Sequence, residues 1–332
     1  MVLINTAEHF QKTGITDFNF SPTVFKPYVE NAQEQYLVKV LGEELLDELI
    51  TQYEATALTA ENQKLWLKAI KVVGPLAKYL MTPESADKIS NLGVTVSQSD
   101  NNIPSSDIGI YHLRTSLLNS GYNAIDTLYK FLYKNKTDYP LWTASDAFID
   151  FKKHFISTAE QFNLYVVINQ SSWIFYQLSA YMNDVESRYI MSAISEELFD
   201  DLKEKWADES FSTEEKKLHK LLCQCIAQYT YALGLKSPFV RQEIQNVIAA
   251  RSAGYSTKSF SKEDYAQIIN EHEALAKATL NDAVAYLNKT ASDTVFPLWF
   301  TGTLYKSPVD KATERGSGKY HNSTSNSSFV AL

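Results

Sequence analysis

Two pairs of adjacent glutamates, Glu43 with Glu44 and Glu196 with Glu197, are the first residues in this chain whose type and spacing could do chemistry. Neighbouring carboxylates can share general acid and base roles in catalysis. Both pairs, however, stand where a helix is predicted to begin, and carboxylates in a first helical turn complement the helix dipole. The pattern therefore favours solvated surface residues, and we assign no catalytic residue.

Histidines and cysteines are too scattered to suggest a metal or cofactor site. None of the six histidines lies four residues from another, and neither HExxH nor CxxC occurs. Glu271, His272 and Glu273 are adjacent, but adjacent residues of a helix point in different directions. Cys223 and Cys225 lie in an apolar stretch, which predicts buried small hydrophobes rather than a disulfide. Phosphate-binding glycine loops and GxSxG are also missing, so we expect no metal and no cofactor.

Charge and hydropathy argue against two further classes of protein, those that bind nucleic acid tightly and those that span a membrane. The net charge is −8 with a pI of about 5.4, and no run of Lys and Arg forms a basic stripe. A protein that grips nucleic acid is therefore not expected, although transient, non-specific contact with passing DNA is compatible with the composition. The start, MVLINTAEHFQ, has no signal-peptide pattern, and no run of 18 apolar residues occurs, so we expect no membrane association.

The chain repeats itself once. Residues 36–80 align without a gap onto 189–233, with identical residues at ten positions. Further landmarks recur at a spacing of 152 to 157 residues: INTAEHFQ at 4–11 with ISTAEQFN at 156–163, NKT at 135–137 with 288–290, and PLW at 140–142 with 297–299. A period this long describes a duplicated domain and not a solenoid. We call 4–142 repeat 1 and 156–299 repeat 2.

Helical periodicity dominates both repeats. Asn5 and Ser157 are predicted helix caps, with Glu8 and Glu160 three residues on. In repeat 1, helices are then expected over 23–40, after Gly42, after Thr59 and over 112–134, the last matched by 262–288 in repeat 2. Gly74 and Pro75 predict a kink. The fold class is all-α: two tandem helical-bundle domains, 1–143 and 144–299, with a projecting loop and an extended tail, 300–332.

The repeats differ most in two segments, and these are the candidate partner-binding sites. Residues 83–109 of repeat 1 are rich in Ser, Asn, Asp and Gly, and VTV alternates as a short strand does. We call this segment the arm; repeat 2 instead continues here with an amphipathic helix. The arm residues expected to contact a partner are Leu92, Val94, Val96 and Ile103, although a loop without a role remains an alternative.

The tail, 300–332, is polar and has no helical period. Such a segment has no core of its own and orders only by docking on a partner, and its terminal FVAL is an apolar plug suited to docking. The tail residues expected to contact a partner are Tyr305, Lys306, Arg315, Lys319, Tyr320, Phe329, Val330 and Leu332.

The stretch FKPYVENAQEQYLVKVLGEELLDELI, followed by KLWLKAIKVVGPLAKYL, resembles the unit of the head–tail connector (adaptor) family of tailed bacteriophages and prophages, particularly those of Bacteroides-type hosts. The segment ISNLGVTVSQSD is similar to the projecting loop of that family. The resemblance extends over 4–299, and this chain looks like a tandem version of the unit. Repeat 2 departs from the pattern in its loop and at Ser195, which replaces Gly42.

The resemblance implies a structural virion protein at the head–tail junction, present in the host cytoplasm during assembly. Its members form a ring, commonly dodecameric, that docks under the portal protein, contacts a downstream neck or tail protein and continues the DNA channel. An acidic protein would let DNA slide, since like charge avoids phosphate binding. Two other hypotheses stay open: a different neck, tail-completion or scaffold interaction protein, and an enzyme of unrecognised type.

Overall fold

A computed structural model describes residues 2–13, 22–86, 88–90, 93–95, 107–242, 244 and 261–307. The helices of the first half are α1 (Ala7–Gln11), α2 (Pro22–Ala32), α3 (Val38–Leu41), α4 (Glu43–Glu54), α5 (Ala60–Ala86), α6 (Asp107–Lys134), α7 (Pro140–Thr143) and α8 (Asp146–Lys152). Those of the second half are α9 (Ala159–Asn163), α10 (Ser172–Ser179), α11 (Met182–Val185), α12 (Ser192–Ile194), α13 (Glu196–Asp208), α14 (Thr213–Lys236), α15 (Lys262–Thr290) and α16 (Pro297–Phe300).

The all-α tandem fold is confirmed. The order α4, α5, α6, α7 of repeat 1 recurs as α13, α14, α15, α16 in repeat 2. The described exceptions to α-helix are two π-helical turns (Gln33–Leu37 and Glu186–Met191), a 3₁₀ turn (Lys136–Asp138) and a hairpin of two strands, β1 (Lys88–Ser90) and β2 (Gly93–Thr95). The predicted kink at Gly74 and Pro75 does not interrupt α5.

Contacts divide the chain into two compact units whose limits cut across the repeats. One unit combines Met1–Asn183 with Ala227–Glu273, and the other combines Asp184–Ile226 with Ala274–Leu332. The expected domains 1–143 and 144–299 describe the sequence repeat, and they remain predictions. The core of the first unit is formed by the apolar stripe of α5 and by large buried side chains around it, including Phe10, Phe25, Leu37, Leu41 and Trp142.

The caps of the two short opening helices lie one residue later than predicted. The hydroxyl oxygen of Thr6, not Asn5, accepts a hydrogen bond from the backbone N–H of His9. Thr158, not Ser157, does the same for Gln161 in α9. Thr6 and Thr158 are the caps because their backbones are extended while the next residue is already helical. This is the geometry that an N-cap requires.

A sharp backbone turn separates α3 from α4, and the same turn recurs between α12 and α13. Gly42 has φ 78° and ψ 159°, and Ser195 has φ 69° and ψ 152°. This region of backbone space is costly for any residue with a Cβ. A Cβ on Gly42 would meet the Cβ of Ser145 at 2.8 Å. In repeat 2, at the spacing of the PLW motif, Ser145 is replaced by Gly302.

Exchanging these two turn residues should have opposite effects on stability. Gly42→Ser should destabilise the fold by about 1–3 kcal/mol, because it adds backbone strain and the Ser145 contact. Ser195→Gly should stabilise it by about 1 kcal/mol, because the relief of backbone strain outweighs the loss of the weak hydrogen bond that the Leu198 N–H donates to the Ser195 hydroxyl oxygen. Urea unfolding of both variants measures this, and a loss of stability in Ser195→Gly would contradict it.

Helix α6 of repeat 1 holds the first two helices of repeat 2 by their N-termini. The Asp126 carboxylate accepts from the N–H of Ala159 at 3.3 Å, and the Asn123 side-chain oxygen accepts from the N–H of Ser172 at 3.4 Å. Lys130 joins this junction, 3.2 Å from Asp126 and 2.6 Å from Glu160. Free N–H groups of a first helical turn are thereby satisfied. Burial raises the pKa of Asp126, and the Lys130 charge opposes that shift.

Removing the Asp126 carboxylate should loosen this junction more than removing its cation does. Asp126→Ala should cost about 1–3 kcal/mol, because it leaves the buried N–H of Ala159 without an acceptor. Lys130→Met should cost at most about 1 kcal/mol, since its ion pairs are half exposed. Urea unfolding, together with amide exchange at Ala159, tests the difference; equal losses in both variants would refute it.

Candidate functional site

The residues that could do chemistry lie apart from one another. Both glutamate pairs are exposed in the first turns of α4 and α13, as the helix-start pattern predicts. The pKa of Glu197 is lowered by its own backbone N–H and by the Ser195 hydroxyl. Within the described residues, no group of three His, Cys, Asp or Glu side chains is arranged to hold a metal ion.

The adjacent residues 271–273 turn to three different partners. Glu271 accepts from the side-chain amide of Gln267 at 2.8 Å, and Glu273 pairs with Lys236 at 2.6 Å. His272 hydrogen-bonds the side chain of Gln228, and burial lowers its pKa. The prediction that these side chains point in different directions is confirmed.

The two cysteines are buried and free, as predicted. Burial raises the pKa of Cys225 to about 12 and raises that of Cys223 further. Both are therefore thiols rather than reactive thiolates at neutral pH. The sulfur of Cys223 lies 3.4 Å from Nε2 of His219.

The arm is partly described. Helix α5 extends into it as far as Ala86 and α6 begins at Asp107, so both helices shorten the predicted loop. The predicted strand is confirmed for the first two residues of VTV, which lie in β2, where Val94 pairs with Ile89 of β1. Leu92, Val96 and Ile103 lie outside the described residues. Repeat 2 is helical over 238–242 at the corresponding place, as expected.

The tail is described as far as residue 307, and its first part lies on its own chain. The ring of Tyr305 packs on Phe300 with centroids 5.0 Å apart, and the backbone N–H of Lys306 donates to Oδ1 of Asn288 at 2.9 Å. Six predicted tail contacts lie outside the described residues: Arg315, Lys319, Tyr320, Phe329, Val330 and Leu332.

A cleft with a volume of about 600 Å³ lies between α1, α4 and α5. Its lining comprises Asn5, His9, Lys12, Tyr53, Glu54, Thr56, Leu58, Gln63 and Trp66, which we call the α1–α5 cleft. The rings of Tyr53 and Trp66 stack with centroids 5.4 Å apart, and His9 meets both rings edge-on. Aromatic rings beside hydrogen-bonding side chains are features of many binding clefts, although most residues of this lining are polar.

Hydrogen bonds hold the aromatic side of the cleft in place. The Tyr53 hydroxyl donates to Oδ1 of Asn5 at 2.7 Å and lies 2.6 Å from Nδ1 of His9. Burial raises the pKa of Tyr53 to about 12, and the hydrogen bond with the Asn5 side chain opposes this shift. Burial, helped by the charge of Lys12, lowers the pKa of His9. At neutral pH the phenol is thus protonated and the imidazole uncharged, so the charges of the cleft are those of Lys12 and Glu54.

Repeat 2 replaces this group of side chains instead of copying it. At the positions of Asn5, His9 and Lys12 it has Ser157, Gln161 and Leu164. At those of Tyr53 and Trp66 it has Trp206 and His219, whose rings still stack, with centroids 4.8 Å apart. The aromatic stack was therefore retained while the polar groups changed.

Comparison with known proteins gives one family. A model of a family of unknown function, DUF6712, matches twice, over residues 37–152 and 190–309, and together the matches cover most of the chain. The chain belongs to DUF6712. Its two DUF6712 matches begin 153 residues apart, as the internal repeat does. Neither a curated protein nor a solved structure matches the chain.

The sequence did not predict the α1–α5 cleft, although Asn5 and His9 of its lining lie in INTAEHFQ. The residues that INTAEHFQ shares with repeat 2 indicate only the start of a helix. The cleft is indicated instead by residues that differ between the repeats, since His9 and Lys12 have no counterpart of the same type in repeat 2.

Proposed function

We propose that this DUF6712 protein is a structural connector (adaptor) of a tailed-phage virion, which forms a ring under the portal and continues the DNA channel towards the tail. The observation that carries the proposal is the order of helices in the segment that resembles the connector unit. A long helix broken by a π turn (α2 to α3), a short acidic and apolar helix (α4) and a second long helix (α5) follow one another there. This is the order that the resemblance implies.

Surface composition supports a protein that assembles with others. Leu164 and Val167, in the loop between α9 and α10, are each 75% exposed. We take these two exposed apolar side chains as part of a surface that a partner covers. Among the described helices, none combines the length and apolar character needed to cross a membrane.

The partners we propose are other copies of the chain, the portal protein and a downstream neck or tail protein. The arm and the tail are the segments proposed to reach them, because they are the segments that the two repeats do not share. Passing DNA would meet an acidic protein, with net charge −8, that does not bind phosphate strongly.

Particle composition tests the proposal. Particles purified from cells that express the chain with the other structural proteins of its phage should contain it, at one vertex, in a number equal to that of the portal subunits. Mass spectrometry of the particles and an asymmetric cryo-EM reconstruction measure these quantities. Particles that mature and infect without the chain would contradict the proposal.

A further inference from the structure

We propose that the connection between α9 and α10, residues 164–171, is the surface by which one copy of this chain contacts the next, with Leu164 and Val167 as its apolar anchors. We call this segment the α9–α10 loop. The contact rests on the proposed function in one respect, since the connector ring supplies other copies of the chain as partners. It is carried by the exposure of the two side chains, by the way the loop is held and by the charge of the chain around it.

The apolar side chains of the α9–α10 loop divide between the core and the solvent. Val166 and Ile168 are 4% and 3% exposed, whereas Leu164 and Val167 are each 75% exposed. The buried pair anchors the loop in the core, so the exposed pair is presented on a fixed base. Repeat 1 has Lys12 at the position of Leu164, so this apolar surface is particular to repeat 2.

Hydrogen bonds hold the α9–α10 loop in one conformation. Oδ1 of Asn163 accepts from the backbone N–H of Ile168 at 3.0 Å and from that of Gln170 at 3.1 Å. The side-chain amide of Gln228 donates to the carbonyl oxygen of Tyr165 at 2.9 Å. A loop that is fixed in this way before binding loses little conformational entropy when a partner covers it.

The backbone of the α9–α10 loop is strained at two consecutive residues. Asn169 and Gln170 both have φ of 54°, which lies in the left-handed region. This conformation is unfavourable for residues with a Cβ, and more so for glutamine than for asparagine. Strain of this kind persists where the surrounding structure enforces it, and it is concentrated at binding sites and other functional sites. The shape of the loop is therefore consistent with a surface that is formed for a partner.

The α9–α10 loop lies in a part of the chain without charge. Residues 161–183 form the longest stretch that contains no Asp, Glu, Lys or Arg. The carboxylate that precedes this stretch, Glu160, pairs with Lys130 at 2.6 Å. The carboxylate that follows it, Asp184, pairs with Arg188 at 3.4 Å. An uncharged stretch with neutralised flanks resembles the centre of a protein interface, where charged residues are depleted.

A second copy of the chain is the partner for which an uncharged contact matters most. Two copies each carry a net charge of −8 and repel each other at their acidic surfaces. Contact through an uncharged surface avoids bringing carboxylates of the two copies together. A basic partner would instead gain more from the acidic surface. An anionic lipid surface would require lysines or arginines beside the apolar side chains, and residues 161–183 contain none.

The symmetry of a ring fixes the type of contact. In a closed ring the α9–α10 loop of each copy packs on a different surface of its neighbour, which is a heterologous contact. A contact of loop with loop about a two-fold axis would stop at a dimer. The loop is therefore expected to touch residues outside 164–171 of the second copy.

Two full-length variants of the α9–α10 loop test the proposal. Leu164→Asp with Val167→Asp places two carboxylates at the anchors, and should raise the dissociation constant for self-association at least about a hundredfold. Asn163→Ala keeps both anchors but removes the acceptor that holds the loop, and should raise this constant about tenfold. Sedimentation velocity over a range of concentrations measures both effects against the wild-type chain, which should associate.

Val24→Asp with Ile149→Asp is the matched control. Val24 and Ile149 are exposed apolar residues outside the α9–α10 loop, at 61% and 64%, so this variant adds the same two carboxylates elsewhere. It should associate as the wild type does.

A photoreactive cross-linker identifies the surface that the loop touches. Benzoylphenylalanine at position 167 should join two copies of the chain on illumination, and at position 149 it should not. Mass spectrometry of the cross-linked peptides should place the second end of the link outside residues 164–171.

Three results would overturn the contact. The first is a wild-type chain that stays monomeric at every concentration and gives no cross-linked pair from position 167. The second is association of the Leu164→Asp, Val167→Asp chain as strong as that of the control. The third is a cross-link that joins loop to loop, or that forms only with another protein of the particle.

Failure of this contact is distinct from failure of the connector proposal. Leu164→Asp, Val167→Asp chains that still occupy one vertex of the particle would refute the contact and leave the connector function standing. A chain that associates through the α9–α10 loop but is missing from the particle would refute the connector function and leave the contact standing.

Discussion

Lys203→Ile should destabilise the protein by about 3–5 kcal/mol, and adding Glu186→Gln to the same chain should restore most of that loss. Nζ of Lys203 lies 2.8 Å from a carboxylate oxygen of Glu186, and the two side chains are only 19% and 7% exposed. Burial lowers the pKa of Lys203, and the Glu186 charge opposes this shift. The single substitution leaves a buried carboxylate without its cation.

The uncharged pair of the double variant already occurs in repeat 1 of this protein. At the spacing of 153 residues, repeat 1 has Ile50 in place of Lys203 and Gln33 in place of Glu186, and both are buried. The double variant therefore installs the uncharged pair that the same fold already accommodates. A buried ion pair replaced by an uncharged one of similar volume is often neutral or stabilising.

Urea unfolding of the two single variants and the double variant forms a double-mutant cycle. The expected result is a strong coupling, with Glu186→Gln alone also destabilising because it removes the carboxylate that faces the buried Lys203 ammonium. Lys205→Met is the control: Lys205 pairs with Asp201 and Glu215 at a more exposed position, and its loss should cost at most about 1 kcal/mol. Additive losses in the double variant would contradict the account.

Trp142→Ala should lower the free energy of unfolding by about 3–5 kcal/mol. The indole is fully buried, packs against Phe148 and Phe151, and donates from Nε1 to the carbonyl of Val40 at 2.9 Å. Val40 lies in the last turn of α3, where carbonyls have no partner within the helix. The tryptophan thus fills the core and satisfies the end of a helix.

Phenylalanine substitutions separate these two contributions. Trp142→Phe keeps an aromatic ring but leaves the carbonyl of Val40 unpaired, and should cost about 1–3 kcal/mol beyond the lost volume. Trp299, the counterpart in repeat 2, donates to Oδ1 of Asn288, which also accepts from the N–H of Lys306. Trp299→Phe should therefore cost less. Thermal unfolding of both variants measures the difference, and a larger loss for Trp299→Phe would show that the hydrogen bond is not the cause.

Much of the fold could be predicted because duplication presents each helical pattern twice. The stripe from Leu65 to Leu76, the acidic start of α4 and the burial of both cysteines follow from spacing and residue type alone. The π turns could not be predicted, since nothing in QEQYL or ESRYIM separates them from an ordinary helix. The cap positions were wrong by one residue because Asn5 and Thr6 both have suitable side chains and backbone geometry decides between them.

The candidate site was less predictable, because long-range packing assembles it. Lys12 and Trp66 are 54 positions apart, and only the packing of α1 against α5 brings them to one cleft. The junction at Asp126 is similar, since its acceptor role exists only because a second repeat follows. At the corresponding positions of repeat 2, Asn123 and Asp126 are replaced by Ala276 and Thr279.

The most direct test of the proposed connector function is the mass of the complex that the chain is expected to form with the portal ring of the phage proposed as its source. Native mass spectrometry of the purified portal mixed with an excess of the chain should show a complex with one chain for each portal subunit. A portal ring whose mass stays unchanged, beside a chain that remains free, would contradict the connector account.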